Sequence, residues 1–259
     1  MRLLVTGGAG YLGSELVRSA AHAGWAVRGT WWTRQPALEA EWVHADIRDE
    51  QAMRRAAEGV DVVVHTAYRQ RDDAWSTNVD GSRAVARAAR GVRLVHLSSD
   101  IVFSGERGHY REEDEPAPVN DYGRSKAEAE RVVRAEHPDA LIARTSLLYG
   151  GLEPGPQEQL ARAGSTFFVD EIRSPVAVGD LADALLELAA RDIGGILHLG
   201  GADDVSRYDL ALLLGADPAR IEAARTTPDR APDVSLDSSR ARALLASRLR
   251  GVREVLGRG

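Results

Sequence analysis

The sequence predicts an α/β fold, in which helices cover both faces of a doubly wound parallel sheet and a small lobe lies towards the C-terminus. Two patterns predict this class. Short apolar runs bounded by glycines are typical of buried parallel strands, and helical patterns alternate with those runs. The composition agrees, because 259 residues with 44% hydrophobic and 28% charged side chains suffice for one α/β unit with an appendage.

Strand and helix signals alternate through the first half of the chain. The run RLLVT at 2–6 predicts the first strand, and a helix follows in which Leu12, Leu16 and Ala20 share one face before Gly24. Asp49 is a candidate N-cap for the next helix. Further strands are expected at 25–32, 42–45, 60–64, 93–97 and 141–144, and further helices at 49–59, from Val79 to Gly91 and around Tyr122.

The later chain is less regular. Residues 150–165 are rich in Gly, Pro and Gln and are expected to form a loop. We therefore divide the chain into two regions, 1–149 and 150–259, the second being smaller and interleaved with late sheet elements. Expected there are a helix at 181–190 capped by Asp180, a strand at 195–199, a helix at 208–214 capped by Ser206, and a last helix opened by Asp237 and Ser238.

Composition and charge exclude several classes of function. The chain has no cysteine, so disulfides, thiol catalysis and thiolate metal sites are excluded. Its net charge of −6 offers no basic field for nucleic acid. No apolar run approaches the ~20 residues of a membrane span, and the N-terminus resembles no signal peptide. We therefore expect a cytoplasmic protein that binds neither nucleic acid nor membrane.

A glycine-rich turn joins the first strand to the first helix. Gly7, Gly10 and Gly13 give the spacing GxxGxxG, with Tyr11 and Leu12 inside the motif. Glycines here permit a tight turn and let backbone N–H groups approach a pyrophosphate at the helix N-terminus. Any glycine-rich βα turn can imitate this spacing, but its position after the first strand of an alternating pattern favours a dinucleotide site.

The end of the second strand bears on which dinucleotide binds. NAD sites commonly place an acid there for the ribose 2′-OH, whereas this chain has Thr33 and Arg34 and no acid before Glu39. Thr33 and Arg34 suit a 2′-phosphate, so NADPH is favoured and NADH stays possible. Arg34 could also be one of the many surface arginines. Asp46 and Ile47 are placed to meet the adenine, although Asp46 could instead be a helix-capping acid.

A tyrosine and a lysine follow at the spacing YxxxK. Tyr122 and Lys126 are four residues apart and share one helix face, where an ammonium favours the phenolate and makes the tyrosine a usable proton donor near neutral pH. Lys126 is the one lysine among 33 lysines and arginines. The pattern alone occurs by chance in many helices, so its weight comes from Ser98, Ser99 and Asp100 and from the glycine turn.

These motifs together resemble the extended short-chain dehydrogenase/reductase family. The resemblance is carried in family order by TGGAGYLG at 6–13, HADIRD at 44–49, HTA at 65–67, NVDG at 78–81, LSSD at 97–100 and YGRSK at 122–126. Within it, the chain looks most like the dTDP-4-dehydrorhamnose reductase branch. SSDIVF at 98–103 is similar to that branch's STDYVF, and RTSLLYG at 144–150 to its RTSWVYG.

The resemblance implies a Rossmann-type NAD(P)-binding domain over 1–149 and a substrate-binding lobe over 150–259. It implies hydride transfer to the C4 ketone of a nucleotide-linked 4-keto-6-deoxy sugar, and a homodimer is possible. Asn78 is either part of a proton relay or a structural kink. The implied catalytic residues are Ser99, Tyr122 and Lys126. Tyr122 and Lys126 are also implied cofactor contacts, with Lys126 on the nicotinamide ribose, and the other implied cofactor contacts add Thr66, Ala67 and Ser98. The implied substrate contacts are Asp100, Val102, Phe103 and Leu147.

Departures from the branch concern the substrate side. Ile101 stands where the branch has tyrosine, Leu147 where it has tryptophan, and the loop at 68–75 is short. Glu15 matches a position that binds magnesium in some members, but one acid is no metal site and we expect none.

A dehydratase is disfavoured because Asp100 is not followed by Glu. The alternatives are a sugar-nucleotide epimerase and a non-catalytic NADP-binding subunit resembling the regulatory subunit of methionine adenosyltransferase.

Overall fold

The computed structural model of the protein describes residues 1–257. Its strands are β1 Arg2–Thr6, β2 Ala26–Trp31, β3 Glu41–His44, β4 Val62–His65, β5 Arg93–Ser99, β6 Leu141–Thr145, β7 Leu148–Tyr149, β8 Thr166–Phe168, β9 Ile172–Arg173, β10 Val176–Ala177, β11 Gly195–Leu199, β12 Val205–Ser206 and β13 Glu222–Ala224. Its α-helices are α1 Tyr11–His22, α2 Glu50–Ala57, α3 Ser82–Ala88, α4 Asp121–Glu136, α5 Pro156–Ala163, α6 Val178–Ala189, α7 Arg207–Leu213, α8 Ser239–Leu244 and α9 Val252–Val255.

The central sheet has seven strands in the order β11-β6-β5-β4-β1-β2-β3. The pairs β1–β2, β1–β4, β2–β3 and β4–β5 run parallel. All four residues of β4 are buried, as expected for a strand covered on both faces. The strand order reverses direction between β1 and β4, which is the switch point where doubly wound sheets bind ligands at their carboxyl edge. The predicted doubly wound parallel sheet is confirmed.

The chain folds into two compact units that each draw on three segments. Unit 1 comprises residues 1–98, 125–143 and 182–196, and unit 2 comprises residues 99–124, 144–181 and 197–259. A single boundary near residue 150 therefore does not separate the two units, because each unit combines three separate segments. The excursion at 99–124 follows directly from the carboxyl end of β5, where chain segments leave a parallel sheet.

The core of unit 1 is an apolar cluster between the sheet and its helices. Small residues of α2 and α3 let those helices pack closely on the β-branched strand residues. The buried members are Leu4, Ala45, Ile47, Met53, Ala56, Ala57, Val60, Val63, Val85, Ala86, Ala89, Leu94, Val133, Ala140 and Ile142.

Unit 2 is built from two-stranded pairings and short helices. The pairs are β7–β10 and β8–β13, which are parallel, and β9–β12, which is antiparallel. Its described residues include two apolar clusters. One surrounds Tyr149 and Leu210, and the other surrounds Phe167 and Ile221.

Two local predictions in the later chain are wrong. The stretch at 150–165 contains α5, which begins at Pro156, because proline is favoured at the first helical position and its missing N–H costs nothing there. Asp180 lies inside the first turn of α6 instead of capping it. Its carboxylate accepts from the Arg250 guanidinium at 2.6 and 3.0 Å, so it joins α6 to the chain before α9.

Most other caps and boundaries agree with the sequence. Asp49 accepts from the backbone N–H groups of Gln51 and Ala52, and Ser206 accepts from that of Asp209. Within residues 1–257, no helix combines the length and the apolar character needed to cross a membrane.

Candidate active site

The glycine turn between β1 and α1 is shaped by two close approaches of the backbone. Gly7 has φ of +72° and lies so near Ala67 that a Cβ would fall 2.7 Å from its Cα. A Cβ on Gly13 would fall 2.1 Å from the Gly7 carbonyl oxygen. Gly10, the N-cap of α1, brings no side-chain oxygen to the first-turn N–H groups. The turn therefore suits a pyrophosphate, which backbone N–H groups would bind.

We expect Gly13→Ala to lower the free energy of unfolding by about 3 kcal/mol, because its Cβ meets backbone that cannot move aside. Gly10→Ala is the matched control, since its Cβ would be 3.2 Å from the Gly7 oxygen and a small shift suffices. We expect this control to cost less than about 1 kcal/mol. Urea unfolding of both variants measures the difference, and equal losses would contradict the steric argument.

The residues predicted to surround the turn lie close to it in unit 1. Thr66 donates its hydroxyl to the Thr6 carbonyl at 2.9 Å, which places Thr66 and Ala67 at the end of β4 beside the turn. Thr30 accepts from the Gly7 N–H at 3.0 Å. Tyr11 is half-buried and Leu12 is 5% exposed, so Leu12 packs inward.

The predicted adenosine end shows one unforeseen pairing. Thr33 and Arg34 are exposed in the loop after β2. The Asp46 carboxylate, instead of being free for adenine, accepts from the guanidinium of Arg48 at 2.6 and 3.0 Å. This hydrogen bond lowers the pKa of Asp46. Ile47 is 7% exposed and belongs to the unit 1 core. An adenine contact of either residue stays a prediction.

Lys126 is buried in unit 1 with 4% of its surface exposed. Its Nζ donates to the Leu97 carbonyl at 2.7 Å, near the end of β5, and lies 6.0 Å from the centroid of the Tyr68 ring. Burial lowers the pKa of Lys126 from 10.5 to about 8, against the opposing attraction of Glu130. The ammonium is thus held at a fixed point and is more easily deprotonated than an exposed lysine.

Asn78 lies in a π-helical turn, Ser76–Gly81, which precedes α3. Its side chain exchanges hydrogen bonds of 2.8 Å with the backbone N–H and carbonyl of Arg69, and its amide donates to the Ser125 hydroxyl at 2.9 Å. These bonds fix the loop after β4 to α4. They support the structural interpretation of Asn78, while π turns are also frequent at functional sites.

Ser99 and Tyr122 both belong to unit 2. Ser99 ends β5 and caps a 3₁₀ turn over Asp100–Val102, and Tyr122 lies half-buried in the first turn of α4. These two segments meet where a Cβ on Gly123 would fall 2.4 Å from the Ile101 carbonyl oxygen. The small residue after the tyrosine therefore lets the serine turn approach the start of α4.

The four residues expected to contact substrate differ in their burial and partners. Asp100 is 4% exposed and accepts from the hydroxyls of Ser99 at 3.0 Å and Ser146 at 2.6 Å; burial raises its pKa. Val102 and Phe103 have no exposed surface, and the Phe103 ring stacks on the Tyr110 ring. Leu147 packs partly buried against the Tyr149 cluster. Asp100, Val102 and Phe103 thus support the serine turn from the core side, and direct substrate contact stays a prediction.

Sequence reasoning missed buried polar residues that surround the candidate site. Glu130 is 3% exposed and accepts from the Ser98 hydroxyl at 2.5 Å, so the Ser98 side chain is directed into unit 1. Glu130 follows Lys126 by four residues, just as Lys126 follows Tyr122, so the three side chains share one helix face. This spacing was the sequence signal that could have identified Glu130. His65 and His96, whose rings are 5.1 Å apart, gave no such signal; burial lowers the pKa of His65 to about 3.

Comparison with known proteins assigns the chain to a family. A model of the RmlD substrate binding domain matches residues 1–255. The chain belongs to this family. The resemblance to extended short-chain reductases of the dTDP-4-dehydrorhamnose reductase branch is thereby confirmed.

Proteins with different names are similar to the chain over most of its length. A dTDP-4-dehydrorhamnose reductase of Mycobacterium tuberculosis is 35% identical over 246 residues, which cover 85% of this chain and 78% of that protein. A methionine adenosyltransferase 2 subunit beta of Xenopus laevis is 29% identical, covering 88% and 75%. The crystal structure of a hypothetical dTDP-4-dehydrorhamnose reductase from Sulfolobus tokodaii has a TM-score of 0.83 at 30% identity, covering 96% and 97%.

Proposed function

We propose that the protein is an NADPH-dependent reductase that transfers hydride to the C4 ketone of a nucleotide-linked 4-keto-6-deoxy sugar. The observation that carries the proposal is the environment of Lys126. Lys126 is the one lysine of the chain, and it lies on the same helix as Tyr122. Its buried side chain donates a hydrogen bond to the carbonyl of Leu97, which lies two residues before Ser99. A buried ammonium is costly, and its retention at this position favours a chemical role.

The proposed roles follow from the chemistry of the three side chains. NADPH would supply the hydride, and its pyrophosphate suits the turn at Gly7, Gly10 and Gly13. The Ser99 hydroxyl, which donates to Asp100 in the structure, would turn to donate to the ketone oxygen and stabilise the developing alkoxide. Tyr122 would give its proton to that oxygen, which completes the alcohol and leaves a phenolate. The Lys126 ammonium would stabilise the phenolate until solvent restores the proton.

The reductase activity is tested by turnover. Purified protein and NADPH are incubated with dTDP-, UDP- and GDP-linked 4-keto-6-deoxy sugars, and cofactor oxidation is followed together with product analysis. We expect oxidation of NADPH and formation of a 4-hydroxy sugar with one of these substrates. Absence of turnover with all of them, in protein that still binds NADPH, would contradict the reductase proposal.

That negative outcome would favour the second candidate, a non-catalytic binding subunit. The specific observation behind it is the similarity to the methionine adenosyltransferase subunit beta over 88% of this chain. An epimerase has less support, because it usually needs a tightly held NAD whereas the loop after β2 offers Arg34. The homodimer and the cytoplasmic location stay predictions, as does the absence of a bound metal.

The preference for NADPH depends on Arg34. We expect Arg34→Ala to raise the Kd for NADPH by about tenfold and to leave that for NADH unchanged, because a charge-assisted hydrogen bond to the 2′-phosphate is lost. Arg55→Ala, which removes an exposed arginine of α2, is the control and should change neither. Fluorescence titration measures both affinities. Equal weakening of both cofactors by Arg34→Ala would contradict the assignment.

A further inference from the structure

Glu130 is a buried carboxylate on the helix that carries Lys126. The two residues are four positions apart in α4 and both side chains are buried, so they lie on one inward face of the helix. A carboxylate and an ammonium are each costly to bury without a compensating charge. Their presence on one buried helix face therefore indicates that each offsets part of the burial cost of the other.

Consecutive residues at the end of β5 hold these two side chains in place. Nζ of Lys126 donates to the carbonyl of Leu97 at 2.7 Å, and the hydroxyl of Ser98 donates to Oε1 of Glu130 at 2.5 Å. All four residues belong to unit 1. The carbonyl and the hydroxyl carry no net charge, so these hydrogen bonds orient the ammonium and the carboxylate without balancing the charge of either.

Three titratable side chains from the neighbouring elements are neutral near pH 7. Burial and the charge of Lys126 lower the pKa of His65, on β4, to about 3 and hold the pKa of His96, on β5, well below its ordinary value. Tyr68, whose ring centroid lies 6.0 Å from Nζ of Lys126, is a phenol that keeps its proton at this pH. Glu130 is the carboxylate whose attraction opposes the lowering of the Lys126 pKa by burial.

We propose that Glu130 is the buried counter-ion that keeps Lys126 protonated at neutral pH, and that it is thereby a positioning residue for proton transfer at Tyr122. The part that concerns Tyr122 rests on the proposed function, because it is a proton-donating tyrosine that requires a charged lysine. A neutral Lys126 would no longer favour the phenolate, so Tyr122 would become a weaker acid. Glu130 acts through Lys126 and not on the substrate.

The single lysine of the chain makes a direct test possible. Protein labelled with ¹³C at the lysine Cε gives one lysine signal by NMR, and the chemical shift of that signal reports the protonation of Lys126. We expect the pKa of Lys126 to be about 1 to 2 pH units lower in Glu130→Gln than in wild type, because an opposite charge nearby is lost. Glutamine keeps an oxygen that can accept from Ser98. Glu130→Asp, which keeps the charge, should recover part of the change.

Glu128→Gln is the matched control, because it removes a carboxylate from another face of α4, where Glu128 pairs with Arg131 at 2.6 Å. The pKa of Lys126 in this variant should equal that of wild type. An unchanged pKa of Lys126 in Glu130→Gln, or an equal decrease in Glu128→Gln, would overturn the proposal.

A double-variant cycle tests the same pairing through stability at about pH 6. Glu130→Gln leaves a buried ammonium without its counter-ion in wild type, whereas in Lys126→Met there is no ammonium to balance. We expect Glu130→Gln to raise the unfolding equilibrium constant about tenfold more in the wild-type background than in Lys126→Met. A protein that folds only when both substitutions are present would give the same support. Equal destabilisation in the two backgrounds, or loss of folding in both, would overturn the proposal.

Turnover distinguishes this proposal from the reductase proposal. If both are correct, the alkaline limb of the pH profile of kcat/KM in Glu130→Gln should move to lower pH by the amount that NMR measures for Lys126. A limb that does not move would overturn the positioning role. A lowered pKa of Lys126 without any sugar turnover by wild type would support the counter-ion and contradict the reductase proposal. Turnover with an unchanged pKa in Glu130→Gln would do the reverse.

Discussion

Replacing Tyr122 by phenylalanine is expected to lower kcat for the sugar substrate by about 10³, because the alkoxide loses its proton donor. The Kd for NADPH should change less than twofold, since the substitution removes one hydroxyl from a half-buried ring. Steady-state kinetics and cofactor titration measure the two quantities. Full activity in Tyr122→Phe would exclude a catalytic role for this tyrosine.

A double variant distinguishes a catalytic unit from independent contributions. If Ser99 and Tyr122 act on the same oxygen, Ser99→Ala combined with Tyr122→Phe should lose little more than Tyr122→Phe alone, because residues acting together are not additive. Multiplicative losses would instead indicate separate roles. Thermal unfolding serves as the control, since the Ser99 hydroxyl also bonds to Asp100.

The second large expected effect is the dependence on pH that Lys126 gives to the free energy of unfolding. Its pKa in the folded protein is about 8, against 10.5 for an ordinary lysine, so between these values the unfolded chain binds more protons than the folded one. The contribution of Lys126 to the free energy of unfolding must therefore rise as the pH increases from about 8 to 10.5. At pH 7 both states hold the proton, and the folded state carries the full cost of a buried ammonium.

We expect the free energy of unfolding of wild type to increase relative to Lys126→Met by up to about 3 kcal/mol from below pH 8 to pH 10.5. Tyrosines distant from Lys126 affect both proteins alike and cancel in the difference. Urea unfolding at several pH values measures it. A difference that stays flat, or that falls as the pH rises, would show that the ammonium is not desolvated in the folded state.

The fold was largely predictable because its signals are local. Apolar strand runs, glycine stops and the caps at Asp49 and Ser206 each depend on neighbouring residues, and the structure has them within a few positions. Asp180 is a residue whose role local sequence signals do not determine. A helix-capping acid and an acid that pairs with Arg250, seventy residues away, look the same in sequence. Charge pairing over such separations depends on tertiary structure and leaves no periodic pattern.

The candidate site was predictable in part for the same reason. The glycine turn and the spacing of Tyr122 and Lys126 are short motifs, so the sequence placed them on the correct elements. Val102 and Phe103 lie three and four residues after Ser99, but a 3₁₀ turn directs their side chains into the core. The ion pairs of Glu171 with Arg173, Arg207 and Arg230 could not be foreseen, because the arginines come from three distant segments and each resembles any other arginine of an arginine-rich chain.

The interleaving of the two units constrains how this protein can be made and divided. Residues 99–124 leave the ribosome before most of unit 2, and unit 1 is completed only by residues 182–196. Neither unit can therefore be excised as one continuous fragment, and neither is fully translated before a large part of the other has been made. Until residue 196 has been made both units are therefore incomplete, a situation in which apolar strands stay exposed and early autonomous folding is disfavoured.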